Sequence, residues 1–165
     1  MKTVEIKLYK FSELSENAKE RVLSDHYDIN IDFEWWDGVY EDAEQIGLKI
    51  DGFDLDRGSY VKGSFINSPA ETAELITINH GKGCETYKTA HNFLAELNEL
   101  TGKYPNIEDC PEDDIEALED DFLQLLCEDY RIMLQQEYDY KTSEEAIIET
   151  IEANEYDFTE DGKIY

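Results

Sequence analysis

The chain's 165 residues are the length of one domain, and its 41% hydrophobic and 12% aromatic content supplies a core that a disordered acidic tail lacks. Its 41 Asp and Glu against 14 Lys and Arg leave a formal net charge of −27, which argues against a generic basic surface for nucleic acid and against attraction to anionic membranes. The partner such a field favours is a basic protein surface or a cation.

The charge is uneven. Residues 1–103 hold 20 acids and 11 bases (net −9), and residues 104–165 hold 21 acids and 3 bases, Arg131, Lys141 and Lys163 (net −18). Three widely spaced cysteines, Cys84, Cys110 and Cys127, do not form a disulfide framework and favour a reducing compartment. The N-terminal segment does not read as a signal sequence, and no apolar run reaches the roughly 20 residues that cross a bilayer, so a cytoplasmic location is expected.

In chain order, Lys2 to Phe11 alternates. Val4, Ile6 and Leu8 fall on one face and Thr3, Glu5, Lys7 and Tyr9 on the other, which predicts a half-buried strand. Ser15 is suited to cap a helix through ENAKERVLSDHY, in which Ala18, Val22 and Leu23 join Leu14 in an apolar stripe. Asn30 or Asp32 can open a second helix, FEWWDGVYEDAEQIG, with Phe33, Trp36, Tyr40, Ala43 and Ile46 inward and Gly47 as its stop. Neighbouring residues on a helix point apart, so Trp35 leaves that stripe and is either packed by another element or exposed for binding.

Leu48 to Ile66 reads as a β-hairpin turning at Asp56-Arg57-Gly58-Ser59. Asp51, Asp54 and Asp56 lie close in sequence without the spacing of an EF-hand loop. They are expected to solvate a hairpin edge, with a cation site as the alternative. Ala70 to Asn79 is compatible with a short helix or a strand. The glycines beside His80 and Cys84 predict a turn before a helix from Cys84 to Leu100. His80, Cys84 and His91 are residue types of a nucleophilic pair or a zinc site, but no fourth ligand pattern or orienting acid accompanies them. No metal, cofactor or catalytic residue is assigned, and a non-enzymatic protein is expected. GKYPNI, residues 102–107, is the most linker-like break and marks a lobe boundary within a single domain over residues 1–165.

Glu108 to Asp121, EDCPEDDIEALEDD, holds nine acids in fourteen residues and no base. Pro111 suits the first position of the longest helix, with Asp109 or Cys110 at its cap. Glu112, Asp113 and Asp114 then fall in the first turn, where the helix dipole favours negative charge. Ile115, Leu118, Phe122, Leu125/Leu126 and Ile132/Met133 recur at helical spacing, flanked by Glu116, Glu119, Asp120, Asp121, Glu128 and Asp129, which capping does not explain. A last helix runs from Ser143 through Ile147 and Ile151 to Asn154, and the tail EYDFTEDGKIY reads as strand, turn, strand. The expected fold is α+β: a small antiparallel sheet from the N-terminal strand, the 50–66 hairpin and the C-terminal hairpin, packed with four or five helices.

Fourteen helical residues span about 21 Å, so the nine acids of 108–121 present one charge per roughly 2.3 Å, comparable to the one per about 1.7 Å of duplex DNA. The segments FSELSENAKERVLSDH…INIDFEWWDGVYEDAEQIG (residues 11–47), IDGFDLDRGSYVKGSF and FTEDGKIY resemble a family of small phage-associated proteins sometimes labelled antitoxin-like. The resemblance carries over no functional residue, but it implies a phage or mobile-element setting and so counter-defence, where acidic DNA mimics inhibit restriction enzymes or CRISPR effectors. The leading expectation is therefore an inhibitor that binds the basic surface of such a host protein, without contacting nucleic acid itself. Its binding residues would be Glu112, Asp113, Asp114, Glu116, Glu119, Asp120, Asp121, Glu128 and Asp129. An antitoxin-like or regulatory binding module using an aromatic surface around Trp35 is the alternative, and a cation-binding protein the third.

Overall fold

The computed structural model describes residues 1–165, with six α-helices, one two-stranded antiparallel sheet and two short 3-10 turns, Phe11–Glu13 and Ile107–Asp109. The class is α+β. The chain forms two compact units: residues 1–35 with 136–165, and residues 36–135. The linker-like segment 102–107 lies inside the second unit.

The first unit is built on α1 (Glu16–Asp25) and α6 (Glu144–Ala153). Both start on a serine whose hydroxyl accepts from the backbone N–H three residues on: Ser15 from Ala18 and Ser143 from Ala146, each at 3.2 Å. Phe11, Leu14, Ala18 and Val22 then pack with Ile147, Ile151 and Phe158 as one buried cluster.

Two expected sheet elements reduce here to single bridges. Tyr9 and Phe158 exchange both backbone hydrogen bonds at 2.9 Å, and Phe158 bridges Ile164 across the turn of the tail. Residues 1–8 form no strand. The apolar face predicted for them is uncovered, with Val4 76%, Ile6 54% and Leu8 37% exposed. Only Tyr9 finds a backbone partner, because the tail offers one short edge, occupied at Phe158. The small sheet expected from three hairpin or strand segments is therefore a single hairpin, and the helices number six rather than four or five.

The helix expected from Asn30 or Asp32 starts later, at Asp37. Asn30 does not cap: its side chain donates to the carbonyl of Lys141 at 3.0 Å and accepts from Thr150 Oγ1 at 2.6 Å. Residues 26–31 run in turns closed by local backbone hydrogen bonds, from Ile29 N–H to the His26 carbonyl at 3.0 Å and from Ile31 N–H to the Asp28 carbonyl at 2.9 Å, and Phe33, assigned to a buried stripe, is exposed.

The second unit begins with α2 (Asp37–Gln45), which leads through Gly47 into β1 (Leu48–Asp54) and β2 (Tyr60–Phe65). Gly47 has φ +86°, and a Cβ there would meet Thr72 Oγ1 at 2.8 Å, so glycine is required on both counts. The hairpin register runs from Leu48↔Phe65 to Asp54↔Tyr60, shifting at Asp51 between the pairs Ile50↔Gly63 and Gly52↔Lys62. The segment compatible with helix or strand is a helix, α3 (Pro69–Asn79): Ser68 accepts from Glu71 N–H at 3.2 Å, Pro69 opens the first turn, and Thr72, Ala73 and Ile76 are buried at helical spacing. Cap and periodicity override the β-branched run.

After α4 (Glu85–Thr101) comes α5 (Glu112–Lys141), whose last six residues belong to the first unit. Its Phe122 is stacked on Phe93 of α4, ring centroids 4.2 Å apart and 8° from parallel, and on Phe65 of β2 at 5.5 Å. With Ile46, Leu48, Ile76, Ala90, Leu126 and Tyr130 these rings form the larger core. Gly63 lies under the same helix, where a Cβ would come to 3.0 Å from the Lys49 carbonyl oxygen and 3.4 Å from Cys127 Sγ. Phe122 thereby fixes which way α5 faces.

Candidate functional site: an acidic helix face and its groove

The α-helix begins at Glu112, one residue after Pro111, whose carbonyl accepts from Asp114 N–H at 3.1 Å and Ile115 N–H at 3.4 Å. Pro111 therefore stands at the cap rather than in the first helical position. Glu108 and Asp109 belong to the preceding 3-10 turn. The dense acids thus divide between two segments, and the helical part has seven acids in ten residues, Glu112 to Asp121. At 1.5 Å per residue they present one charge per roughly 2.1 Å.

Phe122, Leu126, Tyr130 and Leu134 recur every four residues and are buried. At about 100° per residue, Asp113, Asp114, Asp120, Asp121 and Glu128 fall on the outward half of the helix, whereas Glu112 and Glu116 share the bearing of Tyr130 and Leu134 and line the groove described below; all seven are exposed. Among residues 108–121 no acid takes part in an ion pair, although Lys and Arg pair with acids elsewhere in the molecule. That stretch is uncompensated negative charge.

Three of the expected acids have partners or burial of their own. Glu128 grips Arg131 with both oxygens, at 2.7 and 2.8 Å, and this bidentate bond holds its carboxyl below the usual range. Asp129 is half-buried and accepts from Thr89 Oγ1 at 2.6 Å, with burial raising its pKa. It joins α5 to α4 and does not belong to the open face. Glu119 stands at the margin of the core, half-buried, and its pKa is raised first by burial and then by Asp120 and Glu116.

Glu119 also marks a feature with no local signal in the sequence. An open groove of about 660 Å³ runs beside α5, with Phe65, Pro69, Ile107, Ile115 and Leu123 as its apolar surface and Glu108, Glu112, Glu116, Glu119 and Asp120 as its charged one. Its apolar residues come from separate segments, β2, α3, the 3-10 turn and α5, so only folding brings them together. On another side of α5, a shallower depression of about 400 Å³ sets Asp114 and Asp121 with Glu96 and Glu99 around Lys103.

Trp35 is half-buried, its ring 5.6 Å from that of Tyr138 and tilted by 57°. Trp36 meets Phe53 edge-on at 5.7 Å. Each tryptophan is held by an aromatic neighbour within its own unit. Asp54 accepts from Asp56 N–H at 2.8 Å inside the hairpin turn and Asp51 pairs with Lys49 at 3.7 Å, so the three aspartates have separate local roles. No group of three His, Cys, Asp or Glu side chains is gathered for a metal ion.

His80 and Cys84 do not meet: Cys84 is exposed, and His91, also exposed, stacks on Tyr87 at 6.1 Å. His80 instead enters a chain of hydrogen bonds among residues distant in sequence. Its Nδ1 lies 2.6 Å from Thr86 Oγ1 and its Nε2 3.3 Å from Asp42 Oδ1, while Tyr130 OH donates to Asp42 Oδ2 at 2.8 Å. The order acid, imidazole, hydroxyl is that of a nucleophilic relay. Thr86 is only 3% exposed, however, and borders none of the grooves described, so its oxygen is closed to a substrate. The chain ties α2, α4 and α5 together and supports the acidic helix from behind.

No helix is long and apolar enough to cross a membrane. Comparison with family models, with curated proteins and with solved structures finds no match.

Proposed function

We propose that this chain is an acidic inhibitor of phage or mobile-element origin that occupies the basic nucleic-acid channel of a host defence protein, a restriction enzyme or CRISPR effector, in place of its substrate. The observation that carries this reading is the uncompensated acid face of α5 from Glu112 to Asp121, whose axial charge density approaches that of a duplex backbone. A Lys/Arg-lined channel is drawn to such a face through the same field that attracts DNA, and occupancy excludes the nucleic acid. The groove beside it adds apolar surface from Ile107, Ile115 and Leu123, so that a partner is held by contact as well as by charge.

The test measures inhibition of DNA binding and cleavage by such an enzyme across a salt series. Binding weakens steeply as salt rises, and reversal of Asp113, Asp114, Asp120 and Asp121 to Lys abolishes inhibition while Trp35→Ala leaves it in place. Full inhibition by the four-fold reversal would overturn the proposal. Loss on Trp35→Ala alone would transfer it to an aromatic-surface module.

A further inference from the structure

The uncovered segment before Tyr9 has a property that the acidic face does not share: it is complementary to itself. Val4, Ile6 and Leu8 are exposed and alternate with Glu5 and Lys7, and residues 2–10 hold three lysines against one glutamate within a chain of net charge −27. Tyr9 exchanges both backbone hydrogen bonds with Phe158, so its N–H and C=O point to that edge. In an extended strand the groups of alternate residues point to opposite edges. Were residues 4–8 to continue from Tyr9 as an extended strand, the groups of Leu8, Ile6 and Val4 would be directed to the free edge.

Two copies of the segment laid antiparallel about Ile6 set Ile6 against Ile6, Val4 against Leu8 and Glu5 against Lys7. The pairs 4↔8, 6↔6 and 8↔4 are then the hydrogen-bonded ones. The 5↔7 pairs fall at the non-bonded positions, where side chains approach most closely. Each 5↔7 pair joins opposite charges, and the register contains it twice. A shift of one residue would put the apolar set of one strand against the polar set of the other, so the pattern selects this alignment.

We propose that residues 4–8 pair with the same residues of a second copy of this chain, forming a two-fold antiparallel ribbon that extends the Tyr9–Phe158 bridge and gives Val4, Ile6 and Leu8 an apolar partner surface. The inference rests on the N-terminal segment alone and is independent of what the acidic face binds. Because the two copies repel through the rest of their charge, association strengthens with added salt, opposite to the salt dependence of a basic partner.

Sedimentation equilibrium of the full chain over a range of concentrations and salt tests it. The wild type is expected to show a monomer–dimer equilibrium. Glu5→Lys and Lys7→Glu each turn both 5↔7 pairs repulsive and weaken dimerisation about tenfold or more. The two single variants mixed together restore opposite charges and form a heterodimer. The double variant E5K/K7E restores the homodimer. Both positions are exposed, so the fold is not at stake. A wild-type mass of one chain at all concentrations overturns the proposal, as does dimerisation that neither single variant changes. So does a mixture of the single variants no tighter than either alone.

Discussion

Asp42 illustrates how one carboxylate is tied down by tertiary structure. The hydrogen bond from His80, and then that from Tyr130, outweigh burial and hold its pKa below the ordinary 3.8. A depressed carboxylate stabilises the fold at pH above its unfolded value and loses that contribution as pH falls through its folded value. Tyr130, whose own hydroxyl is pushed far up by burial and by Asp42, is the partner that a single substitution removes most cleanly. Tyr130→Phe is expected to cost about 1 kcal/mol at neutral pH and to narrow the gap to wild type below pH 3.8, measured by denaturant melts across pH. Nothing in the neighbourhood of His80 in sequence announced this chain, because its members lie at positions 42, 80, 86 and 130 and share no period. Ser15 and Ser143, whose cap partners are three residues away, were legible for the opposite reason.

On α5, the burial of Phe122 and Leu126 follows from periodicity, while Ile115, Leu118, Ile132 and Met133 of the same stripe are only partly covered. The start of the helix and the inward turn of Asp129 do not follow from it: Thr89 sits forty residues away, and only the packing of α4 on α5 brings it within hydrogen-bonding distance. The element separates two kinds of acid that look alike in sequence. Glu112, Asp113 and Asp114 oppose the positive end of the dipole and stabilise the helix. Glu116, Glu119 and Asp120 crowd one another across one turn, and Glu119 is held above its ordinary value of 4.5 by burial and by the other two. Neutralising these three to Gln, Gln and Asn is expected to stabilise the protein by about 1 kcal/mol while weakening a basic partner. Neutralising the first-turn trio lowers stability by a few tenths of that. Calorimetry read beside a binding assay checks both. Phe122→Ala, which removes the ring between Phe93 and Phe65, costs about 3 to 5 kcal/mol and should loosen the acidic face with the core.

For the molecule as a whole, a net charge of −27 makes the compact state self-repelling, and salt and acid both relieve it. Glu119 and Asp129 have raised folded pKa values, so the folded state takes up protons before the unfolded one, and stability rises as pH falls through those values toward 4.5 and 3.8. Asp42 acts in the other direction only below 3.8. Thermal melts should therefore show Tm rising as pH falls from neutrality toward 4.5, and rising with added salt at neutral pH, then falling below 3.8, where the contribution of Asp42 is lost. The sequence by itself determined the charge, its concentration after residue 103, the caps at Ser15 and Ser143, the hairpin at 48–66 and the burial of Phe122 and Leu126 on α5. Each is set by composition or by contacts within a few residues. Tertiary structure alone decided that the N-terminal segment pairs only at Tyr9, that Asn30 binds α6 instead of starting a helix, and that Ile107, Phe65 and Leu123 meet beside Glu119. Those outcomes depend on partners distant in the chain, and a local pattern of apolar and polar residues fixes which face is to be covered without fixing what covers it.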